Sequence, residues 1–258
     1  MAMKNSFSVL VALTLLGSVA AFAQPGPGPA LHGPRFGGAL DKLFGDNQAY
    51  SATMKMQTKE TASGDTITMP GKLAYDSGKS RFEMNMSEVS GAKMPPGGAE
   101  QLKQMGMDTV IVIGRPDQKL SYQVYPGMQS FVQTTPPENE NAGAASDAKV
   151  ESTELGKETV DGHPCIKTKT TVTTKDGEKH EYTTWQATDL KKFPIKIEMN
   201  DGGAVATMMF SDVKFAKPDA SLFTPPADYT KYDNQMDMMR EQMMKRMGPG
   251  MMGMPPHH

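Results

Sequence analysis

Tyr182-Thr183-Thr184-Trp185-Gln186-Ala187-Thr188-Asp189-Leu190-Lys191-Lys192-Phe193-Pro194-Ile195-Lys196-Ile197-Glu198-Met199, which holds the only tryptophan of the chain, has the pattern of a strand, a short polar crossing and a second strand. Pro194 restarts the chain in an extended conformation, from which Ile195, Ile197 and Met199 project to one face. Trp185 is suited to anchoring a core, because one large aromatic side chain buries on the order of 150 to 250 Å². This unit predicts a β protein with an apolar face.

The same period of two runs outward on both sides. Tyr50, Ala52, Met54 and Met56 alternate with Ser51, Thr53 and Lys55, and Phe82, Met84 and Met86 alternate with Arg81, Glu83 and Asn85. Both are signatures of strands with one face against a core. Thr66 to Tyr75 reads as a strand with an irregularity at Pro70-Gly71, where proline fits an edge or a bulge. Val110-Ile111-Val112-Ile113 is a continuous apolar run, as expected for a strand covered on both sides. Further strands are expected over Leu120 to Tyr125, Gln129 to Gln133, Val150 to Val160, Cys165 to Thr174, His180 to Ala187, Ile195 to Asn200 and Ala204 to Phe215. Turns at Asp76-Ser77-Gly78-Lys79, Asp161-Gly162 and Asp201-Gly202-Gly203 join neighbours as hairpins. Residues between Asn85 and Met107 interrupt the meander with Met94-Pro95-Pro96-Gly97-Gly98 and a helical turn over Ala99 to Met105, an insertion that reads as a surface loop or a lid. About ten or eleven strands in one antiparallel meander form a sheet that must curl, so the expected fold is a mainly β half-barrel with one or two short helices.

The ends differ in composition. Lys4, the apolar run Val9 to Leu16 and Ala21-Phe22-Ala23 have the layout of a secretory signal peptide over residues 1–23, which places the protein in the periplasm with no membrane span after cleavage. Residues 24–47 begin with a Pro/Gly leader, then Phe36, Leu40, Leu43 and Phe44 at helical spacing. Residues 48–230 form the sheet domain, with Leu222-Phe223 as a plug near its end. Residues 231–258 are a methionine-rich tail, nine of the 23 methionines falling after residue 235. Net charge is −2, and loss of Lys4 with the signal leaves −3, which excludes an electrostatic case for nucleic acid. One cysteine, Cys165, cannot form an internal disulfide and reads as a small buried hydrophobe, while His163 and His180 read as solvated.

Val160-Asp161-Gly162-His163-Pro164-Cys165-Ile166-Lys167, then Trp185-Gln186-Ala187-Thr188-Asp189-Leu190 and Pro194-Ile195-Lys196, and finally Asp219-Ala220-Ser221-Leu222-Phe223-Thr224-Pro225-Pro226, resemble in that order exported domains of the outer-membrane lipoprotein carrier (LolA/LolB-like) superfamily. The resemblance spans about Gln48 to Tyr229. It implies a curved antiparallel half-barrel closed by helices, whose apolar cavity holds acyl chains. The chain lacks the lipid-anchor cysteine of some members and adds the methionine tail.

The expected function is therefore a periplasmic binding or carrier protein for a lipid or other apolar ligand. Candidate cavity residues are Met54, Met56, Phe82, Met84, Met86, Leu120, Tyr122, Val124, Ile195, Ile197 and Met199, flexible thioethers among them suiting variable chains. A second reading is a Cu(I) or Ag(I) binder using Met236, Met239, Met243, Met247, His257 and His258, soft ligands at helical spacing in the tail. A third is an envelope module with a protein partner and no small ligand. No Gly-x-Ser-x-Gly elbow, His-Glu-x-x-His, phosphate loop or dinucleotide fingerprint occurs, so no enzyme and no resident cofactor is expected.

Overall fold

The computed structural model describes residues 40–61, 63–91, 97–136, 148–174, 177, 179–201 and 204–247. The expected signal peptide, the Pro/Gly leader with Phe36, most of the polar run from Thr135 to Ala148, and the end of the tail from residue 248, with His257 and His258, lie outside these residues. Six strands form a first meander: β1 (Ala49–Glu60), β2 (Thr66–Asp76), β3 (Lys79–Asn85), β4 (Thr109–Arg115), β5 (Leu120–Tyr125) and β6 (Ser130–Thr134). Five form a second: β7 (Lys149–Val160), β8 (His163–Thr173), β9 (Lys179–Ala187), β10 (Phe193–Asp201) and β11 (Ala204–Lys214). A short β12 (Thr230–Tyr232) follows. Among the described residues the helices are α1 (Gly98–Gln104) and α2 (Gln235–Met247), with single 3-10 turns η1 (Leu40–Phe44), η2 (Met86–Glu88), η3 (Pro116–Gln118), η4 (Pro126–Met128) and η5 (Ala220–Phe223).

All of these strands belong to one curved, open sheet in the order β12-β6-β5-β4-β3-β2-β1-β11-β10-β9-β8-β7. The expected mainly β half-barrel is what forms. Its detail differs in two ways. The meander is interrupted, because β6 and β7 lie far apart in the sheet and the two halves are joined by antiparallel pairing of β1 with β11. Lys231 and Tyr232, placed in the methionine-rich tail by the sequence, instead belong to β12, which pairs with β6 in parallel.

Local chemistry explains the hairpins. Ser77 (φ 51°) with Gly78 (φ 89°), and Asp161 (φ 49°) with Gly162 (φ 82°), give two-residue turns with both central residues at positive φ, the twist that matches flanking strands. At Pro70-Gly71 there is no bulge: β2 pairs with β1 in unbroken register. The β3 ladder stops at Gly71 and the next contact on that side is an isolated bridge from Thr68 to Ser90, so Pro70 falls in the gap where no strand asks for its missing N–H. Gly71 is required for space, since a Cβ there would stand 2.5 Å from the Phe82 ring.

Strand alternation sorts the apolar side chains onto two faces. The main core gathers Tyr50, Met54, Met69, Leu73, Phe82, Met84, Ile197, Met208 and Phe210. This inner face is covered by Leu40, Leu43 and Phe44 of η1, by Met86 of η2 and Val89, and by Leu102 of α1. The outer face of the first meander carries Ala74, Ile111, Ile113, Tyr122 and Val124, capped by Phe223 and Leu222 of η5 as the expected plug. Strand β4 is therefore covered on both sides, as its unbroken apolar run predicts, with Val110 and Val112 turned to the main core. A third cluster of Tyr125, Met128, Val132, Tyr232 and Met238 seats α2.

Trp185 pairs across the ladders with Lys167 and Lys196, so it faces away from the Thr184 and Tyr182 side of β9. Both ammonium groups lie over its ring, at 4.8 Å and 4.0 Å from the centroid, and its indole N–H donates to Glu158 of β7. The ring is only 3% exposed. It therefore clamps β7 through β10 together, and Trp185→Ala should lower stability by about 3 to 5 kcal/mol, read as a drop in the thermal midpoint. An unchanged melt would contradict this role.

Candidate functional site

The inner face gathers eight of the eleven predicted cavity residues. Each arrives by register: Met54 lies opposite Phe210 and Gly71, Met56 opposite Met208 and Met69, Gly71 opposite Met84, and Leu73 opposite Phe82. On the second meander Ile197 lies opposite Met208 and Thr184, and Met199 opposite Ala206 and Tyr182. Directly opposed residues share a face, so these strands lay a row of thioethers and aromatics across the sheet. Met54, Phe82, Met84, Met86, Ile195 and Ile197 are buried in the main core, with Met56 and Met199 partly buried against it. Ile195 has no partner in β9, because the register shifts between Pro194 and Lys196.

Leu120, Tyr122 and Val124 are not brought to this group. Tyr122 lies opposite Ile113, which lies opposite Arg81, whereas the inner Phe82 is one residue further along β3. That offset puts the apolar residues of β5 on the outer face under Phe223. The sequence of β4 is apolar in both phases, so alternation in β5 alone does not say which face it joins. Residues not foreseen are Met69, Met208 and Phe210 from neighbouring strands and the threonines Thr168, Thr170 and Thr184, all buried. Thr168 lies opposite Thr184 across β8 and β9, and the Ser152 and Thr170 hydroxyls lie 3.2 Å apart. The Thr184 hydroxyl is buried without a hydrogen-bond partner. The Tyr50 hydroxyl of the main core is likewise buried and unpartnered, so this apolar surface carries unspent polar groups at two places.

An aromatic group closes one end of the face. Tyr50 stacks on Phe44 at 5.3 Å and on Tyr75 at 5.2 Å, and meets Phe193 edge-on at 4.9 Å. Asp41 of η1 sits beside it with one carboxyl oxygen buried and unpartnered. Burial pushes the Asp41 carboxyl up to about 6, against the weaker opposing effects of a Tyr75 hydrogen bond and Lys42. Burial likewise pushes Tyr75 up to about 12 and raises Tyr50.

A cleft of about 320 Å³ opens elsewhere, at the β7–β8 turn, lined by Lys157, Glu158, Thr159, Pro164, Cys165, Ile166 and Thr188. None of the predicted residues lines it. The Cys165 thiol donates to the His163 carbonyl at 3.3 Å, and burial raises its pKa, which keeps it protonated rather than a thiolate. His163, expected to be solvated, is partly exposed and also paired with Asp189, Nδ1 to Oδ2 at 2.7 Å, and this hydrogen bond holds the Asp189 carboxyl below its usual value.

In the tail, α2 places Met238 inward, fully buried, while Met236, Met239 and Met243 face solvent. The side chain of Met247, and His257 and His258 entirely, lie outside the described residues. Among the described residues no helix is long and apolar enough to cross a membrane.

No protein-family model and no curated sequence matches the chain. Among solved structures it is similar to a LolA superfamily protein from Nitrosomonas europaea, at 10% identity and a TM-score of 0.38, over 71% of this chain and 93% of that one. It is similar to LprF from Mycobacterium bovis at 12% identity and a TM-score of 0.37, over 71% and 91% of the two chains. Lipoprotein LppX of Mycobacterium tuberculosis is similar at 10% identity and a TM-score of 0.37, over 67% and 92%. No residue's role passes across a likeness this loose.

The raised Asp41 pKa sets a pH dependence whose sign follows from linkage. The folded state holds the proton more tightly than the unfolded chain, whose carboxyl titrates at the ordinary 3.8, so the contribution is complete below that value and is lost as pH rises through about 6. The loss is on the order of 3 kcal/mol. Denaturant unfolding between pH 4 and 8 should therefore show stability falling with pH over this window, relative to an Asp41→Asn variant that lacks the fall. Parallel curves for the two proteins would contradict the assignment.

Proposed function

We propose that this chain is an exported binding or carrier protein that holds a lipid or other long apolar ligand against the inner face of its sheet. The observation that carries the reading is the inner face itself. Four buried methionines, Met54, Met69, Met84 and Met208, with Met56 and Met199 at its partly buried margin, line a surface covered by short elements, Met86 of η2 among them, and not by a second sheet. Thioether side chains are flexible and polarizable, which suits a surface that repacks around chains of different length. Over it, α1 contributes no buried residue and packs through the partly buried Leu102. Displacing α1 costs little apolar burial, and a ligand tail that takes its place restores that burial. The Thr184 hydroxyl, buried and unpartnered between Ile197 and Thr168, supplies a hydrogen-bonding point for a polar atom of an amphiphile. Export follows from the signal-like first 23 residues, which agrees with a carrier working in the periplasm.

The test uses the mature chain, starting at Gln24, and the fluorescent fatty acid cis-parinaric acid displaced by palmitate. Wild type is expected to bind the probe, and Met199→Lys, which sets a charge at the partly buried margin, is expected to weaken binding by roughly tenfold or more with the thermal midpoint retained. Absence of binding, or equal binding by the folded variant, would contradict the reading.

A further inference from the structure

We propose that Met236, Met239 and Met243 form a binding site for a soft monovalent cation, Cu(I) or Ag(I), on the outward side of α2. This site is separate from the inner face and does not depend on the ligand proposed there.

The helix is oriented by contacts that face the sheet. Met238 is fully buried with Tyr125, Met128, Val132 and Tyr232, and the Gln242 amide donates to the Ser130 hydroxyl at 3.1 Å and to the Met128 carbonyl at 3.4 Å. Met238 and Gln242, four residues apart, fix the inward side. Met236, Met239 and Met243 then share an arc of roughly 60°, turned roughly 110° away from it. Their exposures, 82%, 36% and 61%, make them half of the large exposed hydrophobic residues among the described ones. Side chains three and four residues apart on a helix are neighbours, with Cβ atoms about 5 to 6 Å apart. Three long, flexible side chains at this spacing can bring their sulfurs to one ion.

Composition separates a sulfur site from a docking face. The helix sequence QMDMMREQMMKRM contains six methionines and no leucine, isoleucine, valine or aromatic residue. A face meant only for apolar docking is served as well by leucine, which has the same helix propensity and no sulfur. Exclusive use of thioether points to what thioether alone provides, a neutral soft donor. The flanking charges are compensated within the helix: Arg240 pairs with Asp237 at 2.8 Å and Lys245 with Glu241 at 2.8 Å. Among the described residues no three His, Cys, Asp or Glu side chains gather into a site for a harder metal. Thioether has no proton to lose near neutral pH, so binding should persist at pH 5, where imidazole is protonated.

The test titrates Cu(I), held reduced by ascorbate, into the mature protein in competition with bathocuproine disulfonate at pH 5 and pH 7. Wild type is expected to hold a single ion at both pH values. The triple substitution M236L/M239L/M243L keeps side-chain bulk and helix propensity while removing sulfur, and should weaken binding roughly tenfold or more with an unchanged melt. The pair H257A/H258A should bind as wild type does. X-ray absorption at the copper edge should show a sulfur shell. Failure of wild type to bind, equal affinity of the triple variant, or loss of binding at pH 5 together with loss in H257A/H258A would each overturn the proposal.

Discussion

Pairing of β1 with β11 is the constraint on which the rest of the structure depends. Every other antiparallel neighbour pair is a local hairpin or a short excursion in sequence, but Met54 reaches Phe210 and Met56 reaches Met208 across most of the domain. Such a contact carries a loop-closure cost that local burial must offset. The offset is concentrated beside it, where Phe44, Tyr50, Phe193 and Phe210 form a knot of rings with centroids 4.9 to 5.7 Å apart. Four separate segments, η1, β1, β10 and β11, contribute those rings. With this junction in place two meanders become one curved surface with one continuous inner face.

Local features of the fold were legible because they rest on nearest neighbours. Ser77-Gly78 and Asp161-Gly162 announce positive φ, the run from Val110 to Ile113 announces cover on both sides, and Leu222-Phe223 between a polar stretch and a proline pair announces a plug. What was not legible depends on distance in sequence. Nothing in Tyr50 or Phe210 names the other as a neighbour, so the break in the meander was hidden. The face of Tyr122 and Val124 was hidden for a related reason: β4 offers apolar residues in both phases, and only the one-residue relation between Arg81 and Phe82 decides which phase β5 meets. Trp185 was read correctly as a fold marker, but its pairing with Lys167, Lys196 and Glu158 needs the third dimension. Asp41 was invisible as a titrating group, since its burial on η1 comes from packing against the aromatic knot and not from its own sequence neighbours.

The candidate site is divided in the same way. Methionine is abundant in the sequence, yet its meaning depends on which side of the sheet or helix it occupies. In Met54, Met84 and Met208 the thioether is an adaptable hydrophobe with no access to solvent. In Met236 and Met243 the same group stands in water, where its apolar surface is a cost and its sulfur is available. Met238, which lies between them in sequence, belongs to the first class, because helix periodicity turns it onto Tyr125 and Val132.

A methionine-methyl NMR titration tests the central claim most directly. With ¹³C-methyl methionine in the mature protein, addition of palmitate below its aggregation limit should shift the signals of Met54, Met56, Met84, Met199 and Met208 and leave Met236, Met239 and Met243 in place. Inner-face methyl signals that do not move with palmitate or a phospholipid, or movement confined to the methionines of α2, would contradict the account.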